Sequence, residues 1–259
     1  MVAEADGKLA KSVLRAMSII ETLGIAQDGL RLTELSKILQ LPHPTVYRLL
    51  KTLIHAKFVE QDQATSKYYV STKILQMQAH IGQRFGLIDQ AGPILAELVE
   101  RTKESAHLAI LNDIDIVYLL TRRHPKSLNI YSPPGRTLPA YHTALGKTLL
   151  AHLTPTEAAE RVERIEFVRL TPNTIVDRDQ FLAHLEEIRQ EGYACDNGEG
   201  DLGLFCLAAP VYNEEGLVQA AISVSGSSSH LGLNSVPSLA PIVQEAAQEL
   251  SRQLRYWTL

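Results

Sequence analysis

The side chains whose type and spacing most directly suggest chemistry lie between His43 and Lys67. Thr45, Arg48 and Thr52 recur at three- and four-residue steps, flanked by Tyr47 and Lys51. Val46, Leu49, Leu50 and Leu53 recur on the opposite side. On one helix this spacing separates a polar face from an apolar one. Arg48 on such a face can bond a guanine edge bidentately or take a phosphate, and Lys51 suits a phosphate. His43 and Thr45, at the start of the helix, can reach phosphate or base where free N–H groups point. Lys67, in a polar turn, is a further phosphate candidate. The chemistry indicated is recognition of double-stranded DNA; the same residues would also serve as the solvated face of a small helical domain.

These residues need elements to position them. Leu9, Val13, Met17, Ile20 and Leu23 predict a first amphipathic helix, ended by Gln27-Asp28-Gly29. Thr33 is a suitable N-cap for a second helix, Glu34–Gln40, with Leu35, Ile38 and Leu39 as its buried stripe. Leu41-Pro42-His43 makes the turn, and Pro44 fits N1 of the third helix, where a missing N–H costs nothing. Phe58-Val59-Glu60 and Tyr68-Tyr69-Val70 bracket a polar turn and predict two wing strands. The expectation is a winged helix-turn-helix over 9–72, behind a flexible tail over 1–8.

Ile74, Leu75, Gln78, Ile81 and Phe85 continue at helical spacing, predicting a linker helix over 73–86 that packs on its own chain or on a second copy. A helix over Ile88–Val99 opens a second domain, 87–259. There, apolar runs at Ala106–Leu111 and Ile114–Leu120 flank Asn112-Asp113, and Leu204–Tyr212 and Leu217–Ser225 flank Asn213–Gly216. Both read as hairpins. Leu128–Tyr131 reads as a short strand, and helices are expected to His152, from Thr156, over Arg178–Gln190 and over Ile242–Tyr256. Hairpins with irregularly placed helices predict an α+β class with an antiparallel sheet.

Bulk composition narrows the function further. The 259 residues are 45% hydrophobic and 21% charged, which suits packed domains rather than disorder. No apolar run approaches a membrane span and the N-terminus lacks a signal-peptide core, so a cytoplasmic protein is expected. Residues 1–75 hold 10 Lys+Arg against 7 Asp+Glu, whereas the remaining 184 hold 15 against 22. A basic head on an acidic body suits a DNA reader with a different partner domain. Metal-ligand spacings, Walker A, GxGxxG and GxSxG patterns are missing, so neither metal nor cofactor is expected.

The chain resembles the IclR family of bacterial transcriptional regulators along nearly its whole length. The matching segments are LPHPTVYRLLKTL, GRTLPAYHTALGKTLLA, LTPNTI at 170–175, GYACDNGEGDLGLFCLAAPVY at 192–212, and AAISVSG. His107-Leu108, Tyr131-Ser132 and Pro139 with Tyr141 are similar to the branch that senses 2-keto-3-deoxygluconate-type sugar acids. The resemblance implies a GAF-like effector domain, homodimers pairing into homotetramers, a carboxylate, oxo-acid or sugar-acid effector, and repression in preference to activation. It places Leu138, Ala144, Leu145, Asp196, Leu204, Cys206, Ser223 and Ser225 in the effector pocket. Two departures stand out: His43 and Pro44 replace a basic residue and a Ser in the recognition turn, and Gly198 replaces the first Glu of a D.EE pattern.

Those implied residues make chemical sense together. Main-chain N–H groups near Ala144–Gly146, at a helix start, can hold a carboxylate. Ser223 and Ser225, two apart on a strand, share one face, and both can bond a ligand oxygen. Asp196 can accept from a hydroxyl, Cys206 gives a small polarizable wall, and Leu138, Leu145 and Leu204 supply apolar lining. His107, Arg122, Tyr141 and His142 are weaker contact candidates. The alternative function is a GAF-like redox enzyme or thiol sensor using Cys195 and Cys206, which requires a thiolate-stabilising cation nearby.

Overall fold

The computed structural model describes residues 9–26, 28–77, 86–125, 127 and 132–254. The tail over 1–8, most of the linker (78–85) and the expected strand Leu128–Tyr131 lie outside the described residues. The chain divides into two compact units, Met1–Gln83 and Arg84–Leu259.

The first unit runs α1(Lys11–Ile25), α2(Leu32–Ile38), α3(His43–His55), β1(Val59–Gln61), β2(Tyr68–Val70), with a helix α4 described over 73–77. β1 and β2 pair antiparallel, Val59 opposite Val70, and β2 also bridges to Leu30 through Tyr68. Ile19, Leu23, Leu35, Val46, Leu50, Leu53, Val59 and Tyr68 form its core. Burying such side chains contributes roughly 1.5–3 kcal/mol each, which is what a domain with strands this short depends on.

The local expectations need four corrections here. Arg31, not Thr33, is the N-cap of α2, because Glu34 reaches back to accept from the Arg31 amide at 2.7 Å. Ile38 is exposed, and Ser36 is buried in its place, bonding the Leu41 carbonyl. Helix α3 starts one residue early, putting Pro44 at its second position, still within the turn that needs no donor. On α1 only Ile19 and Leu23 are buried, while Val13, Leu14 and Met17 stay about half exposed.

Among its described residues the second unit holds one six-stranded antiparallel sheet, ordered β5-β4-β3-β8-β7-β6. Its strands are β3(Ser105–Asn112), β4(Asp115–Arg122), β5(Thr137–Pro139), β6(Ala194–Asn197), β7(Leu204–Tyr212) and β8(Val218–Ser227). On one face, Phe205, Leu207, Ile222 and Val224 pack with α5(Leu87–Thr102) and α9(Val236–Leu254). On the other, Ala208, Ala221 and Ala109 pack with α6(Ala144–Ala151) and α8(Arg178–Glu191), with α7(Pro155–Glu163) beside them through Val162. Small residues on this second face allow α6 to lie close. At Gly146 an added Cβ would fall 2.2 Å from the Ala140 carbonyl oxygen, so only glycine fits.

The α+β expectation holds. Two short strands, β5 and β6, were not expected; each is too brief to show alternation. Helix α9 begins six residues earlier than expected, because Pro237 falls in its first turn and Pro241 is accommodated within the helix.

Candidate functional site

On the first unit, α3 divides as its sequence pattern requires. Val46, Leu50 and Leu53 are buried, whereas His43, Tyr47, Arg48, Lys51 and Thr52 are exposed and Thr45 half-buried. The Lys51 ammonium lies 5.1 Å from the Tyr47 ring centre, so the two act as one cationic, aromatic patch. The Thr52 hydroxyl bonds the Arg48 carbonyl at 3.1 Å, so it is turned back to the helix. Lys67 is half-buried and donates to the Asp28 carbonyl at 3.0 Å, so it is not freely presented as the sequence suggests. The wing turn is held by Asp62, which accepts from the amides of Ala64 and Thr65; these bonds hold its carboxyl below the usual range.

On the second unit, strand register gathers side chains from distant segments. One cross-strand rung runs Asp196, Cys206, Ser225, Ser105; the next runs Ala194, Ala208, Ser223, His107, Thr121. Directly opposed Cβ atoms in such rungs lie roughly 4.5–5.5 Å apart, so neighbours touch. Leu204, two residues before Cys206, begins on the same face, and Leu138 enters from the edge strand β5. Ala144 and Leu145, at the start of α6, pack among the same side chains. The register therefore brings all eight effector candidates to one side of the sheet.

The helix start is narrower than the sequence suggests. Thr143 caps the Gly146 amide at 2.9 Å, and the Lys147 amide bonds the Thr143 carbonyl. The Ala144 and Leu145 amides are the first two donors of the helix, where the dipole favours an anion.

The family-like segments form one interlocked device. The Thr171 hydroxyl donates to the Gly198 carbonyl at 2.6 Å, Thr174 to the Glu199 carbonyl at 2.7 Å, and Asn173 to the Asn197 carbonyl at 2.8 Å. The LTPNT segment thus clamps the loop that follows Asp196. Gly198 sits at φ +74, a left-handed conformation that suits glycine, so its departure from D.EE fits the turn. Glu199 is nearly buried, its amide donates to Asp196 at 2.7 Å, and its carboxylate meets the wholly buried Lys147. Lys147 also reaches His184 Nε2 at 3.4 Å.

Electrostatics follow from this burial. Desolvation pushes the Asp196 carboxyl up to about 7, opposed by the Glu199 amide and reinforced by the Glu199 charge. Burial also pulls the His107 imidazole down to about 4, with Arg123 adding repulsion. Its ring meets Tyr118 edge-on at 5.6 Å, and burial raises the Tyr118 phenol above its usual range. Tyr141 and His142 are largely occupied: the Tyr141 hydroxyl bonds the Val168 carbonyl at 2.9 Å, and the two rings pack edge-on. The sequence reading gave Tyr118, Lys147 and Glu199 no role, because only the tertiary structure brings Tyr118 and Lys147 near Cys206 and Asp196 and pairs Glu199 with Lys147.

The cysteines are poorly suited to redox chemistry. Cys206 pairs with Asp196, so Cys195 points to the opposite face of β6. Cys195 packs toward α5 and α9, Cys206 toward α6 and α8. Burial pushes the Cys195 thiol up to about 11 and the Cys206 thiol higher still, away from the nucleophilic thiolate.

Two family descriptions match the chain: the IclR helix-turn-helix domain over residues 12–63, and the bacterial transcriptional regulator IclR C-terminal domain over 78–252. The regulator KdgR of Escherichia coli is 34% identical over 245 residues, covering 95% of this chain and 93% of that protein. BhcR of Paracoccus denitrificans is 32% identical, with 96% and 88% covered. A crystal structure of a transcriptional regulator from Rhodococcus superposes with a TM-score of 0.79 at 27% identity, covering 95% of this chain and 98% of that one. Together with the winged helix and the sheet that carries the polar rungs, these matches make the chain a member of the IclR family of DNA-binding transcriptional regulators.

Proposed function

We propose that this protein is a repressor whose α3 reads operator DNA and whose second unit binds a small organic acid that alters that reading. The observation that carries the DNA part is the exposure of Tyr47, Arg48 and Lys51 on a helix anchored by Val46, Leu50 and Leu53. His43 and Thr45 join them at the helix start, and Lys67 contributes once released from Asp28.

The effector reading rests on polar groups buried against an apolar sheet face. Ser223 and Ser225 are almost wholly enclosed, and His107 Nε2 has no hydrogen-bond partner. An acid would place its carboxylate on the Ala144 and Leu145 amides, its oxygens on Ser223 and Ser225, and its body against Leu138, Leu204 and Cys206, with Asp196 beside Cys206. Related proteins point the same way: AllR of Salmonella and Escherichia coli is named a repressor, and an IclR homolog from Microbacterium hydrocarbonoxydans was solved with 4-hydroxybenzoate. The likeness of His107-Leu108, Tyr131-Ser132 and Pro139 with Tyr141 to the sugar-acid-sensing branch favours sugar acids within that class.

The exposed Val13, Leu14 and Met17 on α1 form an apolar strip, which supports assembly with further copies as a homodimer or homotetramer. No catalytic role is assigned. Among the described residues no helix is long and apolar enough to cross a membrane.

The test combines a thermal-shift panel of small acids with DNA binding by fluorescence anisotropy. An acid at a hundredfold its Kd stabilises the fold by about 2.7 kcal/mol. Such an acid is expected to weaken binding to the protein's own promoter DNA. A stabilising acid that leaves DNA affinity unchanged at every concentration would sink the coupling.

A further inference from the structure

His107 presents a chemical constraint that its fold position alone does not require. It is 1% exposed and lies in the rung between Ser223 and Thr121. Its Nδ1 is 3.1 Å from the Thr121 hydroxyl oxygen, which is itself 2.6 Å from the Ser132 carbonyl oxygen. A carbonyl only accepts, so the single Thr121 proton goes to Ser132. Thr121 therefore accepts from His107, and Nδ1 carries the ring proton. The ring stays neutral in this setting, because burial and Arg123 both oppose protonation. What remains at Nε2 is a bare lone pair, buried and without a partner.

An unsatisfied buried acceptor costs free energy until something donates to it. We propose that His107 Nε2 is a specificity-determining acceptor for a hydroxyl of the effector, so the ligand is an acid that also carries a donor O–H. A plain carboxylate or oxo acid brings only acceptors and would face the lone pair unfavourably. This rests on the reading of the sheet face as the effector site, and it names the side chain there that would select a hydroxyl-bearing acid. The position is apt: His107 opposes Ser223 directly, so one ligand carbon can meet both groups.

Three measurements on the full chain test this. The first is nitrogen-15 NMR of the imidazoles, in which His107 is expected as the Nδ1-protonated tautomer; an Nε2-protonated ring overturns the proposal. The second is calorimetry with matched acids, such as glycerate against propionate and 4-hydroxybenzoate against benzoate, extended over hydroxy acids of two to seven carbons. At least one hydroxy acid is expected to bind at least about tenfold tighter than its deoxy counterpart, since a lost partner at a buried polar group costs this much or more. In His107→Phe that ratio should fall toward one. Thr121→Val, which frees the tautomer while keeping side-chain shape, should also shrink the ratio.

Equal affinity of both members of every binding pair overturns the role of His107 and leaves the effector site standing. So does a hydroxy preference that survives His107→Phe. Failure of every acid to bind, hydroxy or deoxy, overturns the effector reading itself, and the role of His107 falls with it.

Discussion

Lys147 and Glu199 meet as an ion pair in the interior of the second unit, with the lysine side chain wholly enclosed and the glutamate side chain 8% exposed. Removing one partner strands the other charge in a dry environment, at a cost of roughly 3–5 kcal/mol. Lys147→Met is therefore expected to destabilise the fold strongly, whereas Lys147→Met with Glu199→Leu recovers most of the loss. Urea denaturation of the four combinations measures the coupling. Simple additivity of the two single losses would show that the pair does not act as a unit.

Arg48 stands on the exposed face of α3, and its removal should leave the core of the first unit intact. Arg48→Ala is expected to weaken operator binding by about ten- to a hundredfold, with effector binding and melting temperature unchanged. Lys51→Ala should act more evenly across sequences and reduce the salt dependence of binding. Wild-type DNA affinity in Arg48→Ala would place the recognition surface elsewhere.

The Ser223 and Ser225 hydroxyls share one face of β8, beside Cys206 and Ala208. The double change to Ala should lower effector affinity by at least about tenfold and abolish the effector response, while DNA binding persists. Each hydroxyl removed is small and its strand stays paired, so circular dichroism should be unaltered. A normal response in the double variant would move the ligand off this rung.

Asp196 titrates near neutrality, at about 7 against an ordinary value of 3.8, because burial disfavours its charge. The folded state thus holds this proton more tightly than the unfolded chain does. The resulting stability is complete below about pH 4 and is lost as pH rises to about 7. Asp196→Asn should flatten that slope and raise stability at neutral pH by at most about 4 kcal/mol, with the Glu199 amide still bonded. An anionic effector on the same rung should bind less tightly above pH 7 than below it. Melting curves from pH 4 to 8 check the first statement and calorimetry the second; a pH slope unchanged in Asp196→Asn refutes the assignment.

Cys195 and Cys206 point to opposite faces of the sheet and both thiols are raised by burial. Titration with a thiol reagent should show two slow cysteines in the native protein, becoming fast only on unfolding. DNA affinity should be the same in peroxide and in reductant. A peroxide-dependent change in DNA affinity would reinstate a redox role.

What the amino-acid order settles by itself are the features with short-range causes. The polar and apolar sides of α3 follow from residue spacing on one helix. The hairpins at Asn112-Asp113 and Asn213–Gly216 follow from turn chemistry between apolar runs. The sequence also supplied the family-like segments, and with them the eight effector candidates, but not the reason those segments belong together. That reason is tertiary. Glu199 meets Lys147 fifty-two residues away, and Thr171 and Thr174 clamp the loop that carries Glu199, because that loop and helix α6 converge on one sheet face. The bare His107 nitrogen depends on a three-residue proton chain through Thr121 and Ser132 that no spacing rule encodes. Likewise α1 is amphipathic in sequence, yet Val13 and Met17 stay exposed, because periodicity shows that a face is apolar and not what covers it. Local periodicity is set by backbone geometry over a few residues, whereas cross-strand register is set by pairings across more than a hundred, such as His107 with Ser223.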